Sequence, residues 1–193
     1  MTRAERNEDV KRRLFDAARH IVGELGYAEA SVARITEMAG VAQGTFYNHF
    51  ANRQALLDSL LPTIGQEMAH FIQERSETVR PESEREVARF RAFFDYLGEN
   101  AGFLRILNEA EFAAPEAYRQ HMDNMAAPFQ RILGRARDRG EVQDYADPEL
   151  EVIVHILMGA RSYLSQHYGS GPLDEPIFSA YARLLRGGLF AGS

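Results

Sequence analysis

Gln43, Thr45, Tyr47, Asn48 and His49 crowd into one short run, and each side chain donates or accepts hydrogen bonds without carrying a fixed charge. Amide side chains such as Gln43 and Asn48 can bond adenine in bidentate fashion, so these two, joined by Tyr47, are candidate readers of base edges. A helix that only packs needs a broad apolar stripe, but a short helix from Gln43 to His49 offers little beyond Phe46. Gly44 near its start costs helix stability, which makes sense if a nucleic-acid backbone must approach closely there.

The element that would position this helix lies just before it. Val32, Ile35, Met38 and Ala39 recur at helical period from Ser31, and Gly40 supplies a residue tolerant of positive φ at the end. Two short helices joined by a tight turn containing glycine form a helix-turn-helix, whose second helix enters the major groove.

The stretch resembles the helix-turn-helix of the TetR/AcrR family of bacterial transcription factors. Ala39, Gly40, Val41, Gly44, Thr45, Tyr47, His49 and Phe50 match its most specific run; Ala17, Ala18 and Gly26 precede it, and Leu56 and Leu57 follow, as in that family. The resemblance covers about the first sixty residues. Ala42 stands where the family usually has Ser, which removes a helix cap worth about 1 kcal/mol. Arg53 stands where Lys is usual, keeping the charge. By this resemblance Ser31, Thr45, Tyr47, His49 and Arg53 are expected to contact phosphates, with Gln43, Gly44 and Asn48 completing the DNA-binding set.

The whole chain carries a net charge of −6, which at first argues against a nucleic-acid partner. Residues 1–50 hold seven basic and seven acidic groups, while the rest hold fifteen and twenty-one. An acidic body repels phosphate and favours approach through the neutral end. Arg3, Arg6, Lys11, Arg12 and Arg13 fit either a flexible basic arm or a solvated helix end, because Glu5, Glu8 and Asp9 are interspersed. The chain has no Cys, hence neither a disulfide framework nor thiolate chemistry. It has no apolar run of membrane-spanning length and no signal-peptide pattern, and a cytoplasmic protein is expected.

Helical periodicity continues to the end, giving an expected all-α fold of about nine helices. The first helix should run from about Glu8 to Leu25. Asn52 should cap a long one from Arg53, in which Pro62 and Gly65 demand a break or a kink. Ser83 and Glu86 have capping-box spacing, Asn100 should cap a shorter piece, and Pro115, Pro148 and Pro176 mark helix starts. The expected division is a helix-turn-helix DNA-binding domain at 1–51 and a ligand-binding and dimerisation domain at 52–193.

Phe90, Phe94, Leu97, Phe103, Leu107, Met122, Met125 and Phe129, with Glu111, Tyr118, His121 and His155, form the candidate ligand-binding set: apolar walls with a few orienting polar groups. Pattern alone favours an ordinary core filled by Phe and Met; the resemblance reverses this, since TetR-like proteins generally bind a small molecule here. His121, His155, Glu109 and Glu111 lack metal-ligand spacing, so neither a metal nor a cofactor is expected. No activated nucleophile or acid/base motif points to an enzyme.

Apolar residues on more than one side of the last two helices exceed what one core requires, which suggests a homodimer through them. The expectation is a repressor released from a palindromic DNA operator by a small, largely apolar effector. The alternative keeps the same DNA head on a ligand-independent architectural or protein-binding regulator.

Overall fold

The computed structural model describes residues 2–169 and 173–190. The range expected for the second domain thus includes residues 170–172 and 191–193, which lie outside the described ones. Among the described residues there are nine α-helices and no strand beyond an isolated bridge between Val142 and Phe190. They are α1 (Arg3–Leu25), α2 (Val32–Ala39), α3 (Gln43–Phe46), α4 (Arg53–Ser76), α5 (Glu82–Glu99), α6 (Phe103–Ala113), α7 (Pro115–Asp138), α8 (Asp147–Tyr168) and α9 (Glu175–Gly188), with a 3-10 turn at Tyr27–Glu29.

Helix α1 begins earlier than its apolar period implies. Thr2 and Glu5 form a capping box, the Glu5 carboxylate accepting from Thr2 N at 2.7 Å and Thr2 Oγ1 accepting from Glu5 N at 3.2 Å. Arg3, Arg6, Lys11 and Arg12 therefore stand on a formed helix and not on a flexible arm. Asn52 caps α4 as expected, its side-chain oxygen accepting from Ala55 N at 2.8 Å. Pro62 lies inside α4, which continues through it without a break, flanked by the buried Leu60, Leu61 and Ile64.

Two expected caps are not formed. Pro81, with no side-chain cap bond, precedes α5, and the expected capping-box residue Glu86 is instead fully buried. Asn100 donates from Nδ2 to Tyr96 O at 3.0 Å, at the end of α5, while Gly102 precedes α6.

The chain forms two compact units. The first comprises the described residues through Gly65 together with Ala101–His121; the second comprises Gln66–Asn100 and the described residues from Met122 onward. Packing therefore does not divide at 51/52, and a functional boundary there is a proposal.

In the first unit, Leu14, Ala18, Ile21 and Val22 of α1, Ile35 of α2, Phe46 of α3, and Leu56 and Leu57 of α4 are buried. Helix α6 packs on α1 where two glycines meet: a Cβ added to Gly102 would lie 2.8 Å from Gly23 Cα. Glu109 of α6 accepts a hydrogen bond from Tyr27 N at 2.8 Å, and Arg105 donates to Glu24 O at 2.8 Å.

In the second unit α5 packs on α9 and α8. Phe90 stacks on Tyr181 with ring centroids 3.9 Å apart. Beside them the Glu86 carboxylate accepts from Arg161, from Tyr181 Oη at 2.9 Å and from Arg89 at 3.3 Å. Burial, followed by the Glu86 charge, pushes the Tyr181 phenol well above its ordinary range.

Candidate nucleic-acid interface

The first link from sequence to site is Gly40. It ends α2 at φ +65°, ψ +39°, a left-handed conformation that glycine adopts without a side-chain penalty, and its N–H returns to α2. The chain leaves the helix there and begins α3 within three residues. Ser31 opens α2 by accepting from Arg34 N at 3.3 Å. Val32 is half-buried and Met38 exposed, so the inward face of α2 is Ile35, Thr36 and Ala39 and excludes Met38.

Helix α3 is only four residues long, shorter than the expected run to His49, and its cap position, Ala42, makes no side-chain bond. Residues Tyr47–His49 continue as turn, with Asn48 N reaching Thr45 O and His49 N reaching Phe46 O. So short a helix has little stability of its own. Phe46 anchors it, fully buried, with the Tyr47 ring edge-on at 5.3 Å and the Phe50 ring at 5.7 Å.

Anchoring by Phe46 leaves the remaining side chains outside. Gln43, Gly44, Tyr47 and Asn48 are exposed, and Thr45 and His49 are half-buried. Tyr47 exposes 59% of its surface, unusual for a large ring with apolar neighbours within reach. A Cβ on Gly44 would meet nothing within 4 Å, so internal packing does not require glycine there. The surface formed is polar, uncharged and rigidly backed, able to offer hydrogen bonds to groove edges and phosphate oxygens.

Arg53 sits differently from the others. Its Nε donates to Ala30 O at 2.7 Å and its Nη2 donates to Tyr27 O, which engages the guanidinium with the chain's own backbone. Arg13, which the sequence fits to either a basic arm or a solvated helix end, turns its Nη2 onto Ala39 O and, at 3.2 Å, Gly40 O. Neither contact is legible from sequence, since each joins residues more than twenty positions apart.

The candidate ligand residues divide between the two units. In the first, Phe103 and His121 are buried, Leu107 and Tyr118 half-buried and Glu111 exposed. Burial lowers the His121 pKa to about 4, and its Nδ1 has no hydrogen-bond partner. Glu111, after burial, helps to raise the Tyr118 pKa. In the second, Phe90, Phe94 and Leu97 are buried, Met122, Met125 and Phe129 half-buried and His155 exposed. Exposure takes Glu111 and His155 away from the inward orientation expected of orienting groups. Among the described residues no group of three or more His, Asp or Glu gathers in metal-binding geometry, and no helix is long and apolar enough to cross a membrane.

The pair α2 and α3, joined through Gly40 and backed by α1, defines a DNA-binding protein of the helix-turn-helix class. The family model described as bacterial regulatory proteins of the tetR family matches residues 14–60. The chain is 36% identical over 67 residues to the fatty acid metabolism regulator protein of Bacillus subtilis, a match covering 35% of this chain and 33% of that one. It is 22% identical over 186 residues to the HTH-type transcriptional repressor DhaR of Mycobacterium sp., covering 91% and 92%. A TetR-family transcriptional regulator from Pectobacterium atrosepticum superposes with a TM-score of 0.74 at 25% identity, covering all of both chains. The fatty acid degradation regulator FadR from Bacillus halodurans does so with a TM-score of 0.75 at 20% identity, covering 93% and 95%. Residues 14–60 carry the signature of the tetR family of bacterial regulatory proteins, and the likenesses together support a DNA-binding transcriptional regulator of the TetR type.

Proposed function

We propose that this regulator is a homodimeric repressor that binds a palindromic operator through α3 and leaves it when a small, largely apolar effector binds the helical body. The observation that carries the DNA-reading half is the exposed face of Gln43, Gly44, Tyr47 and Asn48 held over the buried Phe46. Gln43 and Asn48 read base edges; Ser31, Thr45, Tyr47 and His49 bond phosphates; Gly44 lets the backbone approach. The openness around Gly44 supports this role, because the free protein has no packing need for glycine there.

Dimerisation is supported by α8 and α9, where Val152, Ile156, Tyr163 and Leu184 are large, apolar and exposed. Val152, Ile156 and Tyr163 recur at spacings of four and seven, on one face of α8. Two copies place two reading helices on successive turns of DNA, which gives the selectivity a single head lacks. Effector uptake by the helical body draws on the half-buried Met122, Met125 and Phe129 of the second unit. Release requires that the effector favour one conformation over the other, since only differential affinity shifts the equilibrium.

Mobility shift of the protein's own upstream DNA, with Gln43→Ala and Tyr47→Ala as controls, tests the reading. Salt-sensitive, sequence-selective binding that is lost in both variants is expected. Selective binding that survives both would remove α3 as the reading helix. The purified repressor on that DNA is then challenged with a panel of apolar small molecules, and release by none of them would favour the ligand-independent alternative.

A further inference from the structure

We infer that Arg13 and Arg53 are positioning residues for DNA reading: two guanidinium clamps that hold α2 at its two ends and so set the presentation of α3. The inference rests on the DNA-binding reading of α3 and adds residues to it that do not touch DNA.

At the far end of α2, Gly40 takes its own N–H back to Glu37 O and Val41 N returns to Thr36 O at 3.0 Å. Ala39 O and Gly40 O are left pointing out of the turn, and Arg13 Nη2 donates to both. The cation also opposes the negative end of the helix dipole. A Cβ on Gly40 would lie 2.9 Å from that same Nη2, so the glycine is needed by its φ and again by the clamp.

At the near end, Arg53 holds Ala30 O and Tyr27 O, the carbonyls of the turn that feeds α2. Tyr27 N is held from the opposite direction by Glu109 at 2.8 Å. The approach to α2 is thus fixed on both its donor and its acceptor side. The Nε/Nη2 edge of the Arg53 guanidinium is thus committed to the chain's own carbonyls.

These contacts matter because α3 cannot orient itself. It is four residues long and uncapped, so its direction comes from Phe46 below and from the Ala39–Gly40 turn above. A displacement of that turn moves Gln43 and Asn48 together. A phosphate contact and a clamp then leave different signatures. Loss of a phosphate contact lowers affinity for all DNA and flattens the salt dependence by about 0.9 in log–log slope. Loss of a clamp lowers affinity for the preferred sequence, with the slope intact.

The test measures fluorescence anisotropy of the full chain on a duplex selected from random DNA by the wild type, beside a scrambled duplex, across a salt series. Arg53→Lys keeps the charge but cannot span two carbonyls with a planar fork, and Arg13→Met removes the single Nη2 that serves both carbonyls. Each is expected to lose on the order of tenfold affinity for the selected duplex, with scrambled-duplex affinity and salt slope unchanged. Wild-type affinity in either variant overturns the clamp at that position, as does a fall in slope or an equal loss on both duplexes. Circular dichroism in the same buffer gives the folded fraction; a loss explained by unfolded protein alone also overturns it. If the wild type selects no sequence, it is the DNA-binding reading that fails, and the two failures remain distinct.

Discussion

The Tyr181 hydroxyl donates to Glu86 at 2.9 Å, and that carboxylate has no exposed surface. Arg161 and Arg89 complete its shell, so three donors from three helices converge on one buried anion. Removing a single partner from such a group strands a charge away from water. Glu86→Ala is expected to cost about 3–5 kcal/mol in urea unfolding at neutral pH, and Tyr181→Phe about 1–2 kcal/mol. Adding Arg161→Met to Glu86→Ala should recover part of the loss, since it removes the stranded cation. Full stability in Glu86→Ala would show that the network contributes nothing.

His121 gives the first unit an acid sensitivity of defined sign. Burial lowers its pKa from 6.5 to about 4, so the folded state keeps it neutral where the unfolded chain binds a proton. Stability is therefore greatest above pH 6.5 and declines as pH falls toward 4, by roughly 3 kcal/mol from this group. His121→Leu should remove that share. Unfolding midpoints of both proteins at pH 7 and pH 4.5 measure it, and an equal decline in the two would assign the acid sensitivity to other groups.

Gly102 and Gly44 should respond in opposite ways to the same added methyl. At Gly102 the new Cβ meets the Gly23 backbone at 2.8 Å, and neither chain segment can yield alone. Gly102→Ala is expected to destabilise by about 1–3 kcal/mol. At Gly44 there is open space, and Ala is the better helix former, so Gly44→Ala should gain up to about 1 kcal/mol. On the proposed reading it nonetheless weakens operator binding. Thermal melts paired with mobility shifts separate the two effects; unchanged DNA binding in Gly44→Ala would remove the close approach proposed there.

Leu184 is 73% exposed on α9. If α8 and α9 form the proposed subunit interface, Leu184→Glu and Ile156→Glu place a carboxylate where apolar surfaces must meet. Sedimentation velocity should then find a dimeric wild type and monomeric variants with unchanged helical content. Dimers in both variants would move the interface elsewhere.

The parts of the fold set by neighbours in the chain were legible in the sequence. Gly40 as a positive-φ helix end, Asn52 as a cap and the recurrence of Leu14, Ala18 and Ile21 each depend on spacing within a few residues. Contacts between distant segments were not legible. Ser83 and Glu86 have the spacing of a capping box, but the Glu86 carboxylate finds Arg161, seventy-five positions away, and the first N–H of α5, that of Glu82, goes to the distant Glu141 carboxylate at 3.0 Å. Pro62 signalled a break or a kink; the helix runs on because Leu60, Leu61 and Ile64 are buried on either side of it and outweigh one missing bond. Of the candidate interface, residue types identified the exposed polar face. They could not identify Arg13 and Arg53 as donors to the chain's own carbonyls, because an arginine's charge says nothing about which oxygen it will meet.

The first compact unit is discontinuous along the chain, and this orders the events of its synthesis. Residues through Gly65 leave the ribosome well before Glu109 and Gly102, which complete the packing around Tyr27 and Gly23. Until then the side of α1 that receives α6 stays open to water, and the reading helix rests on an unfinished base. A nascent chain stalled within α5 would carry every residue of the family signature and still lack a finished head.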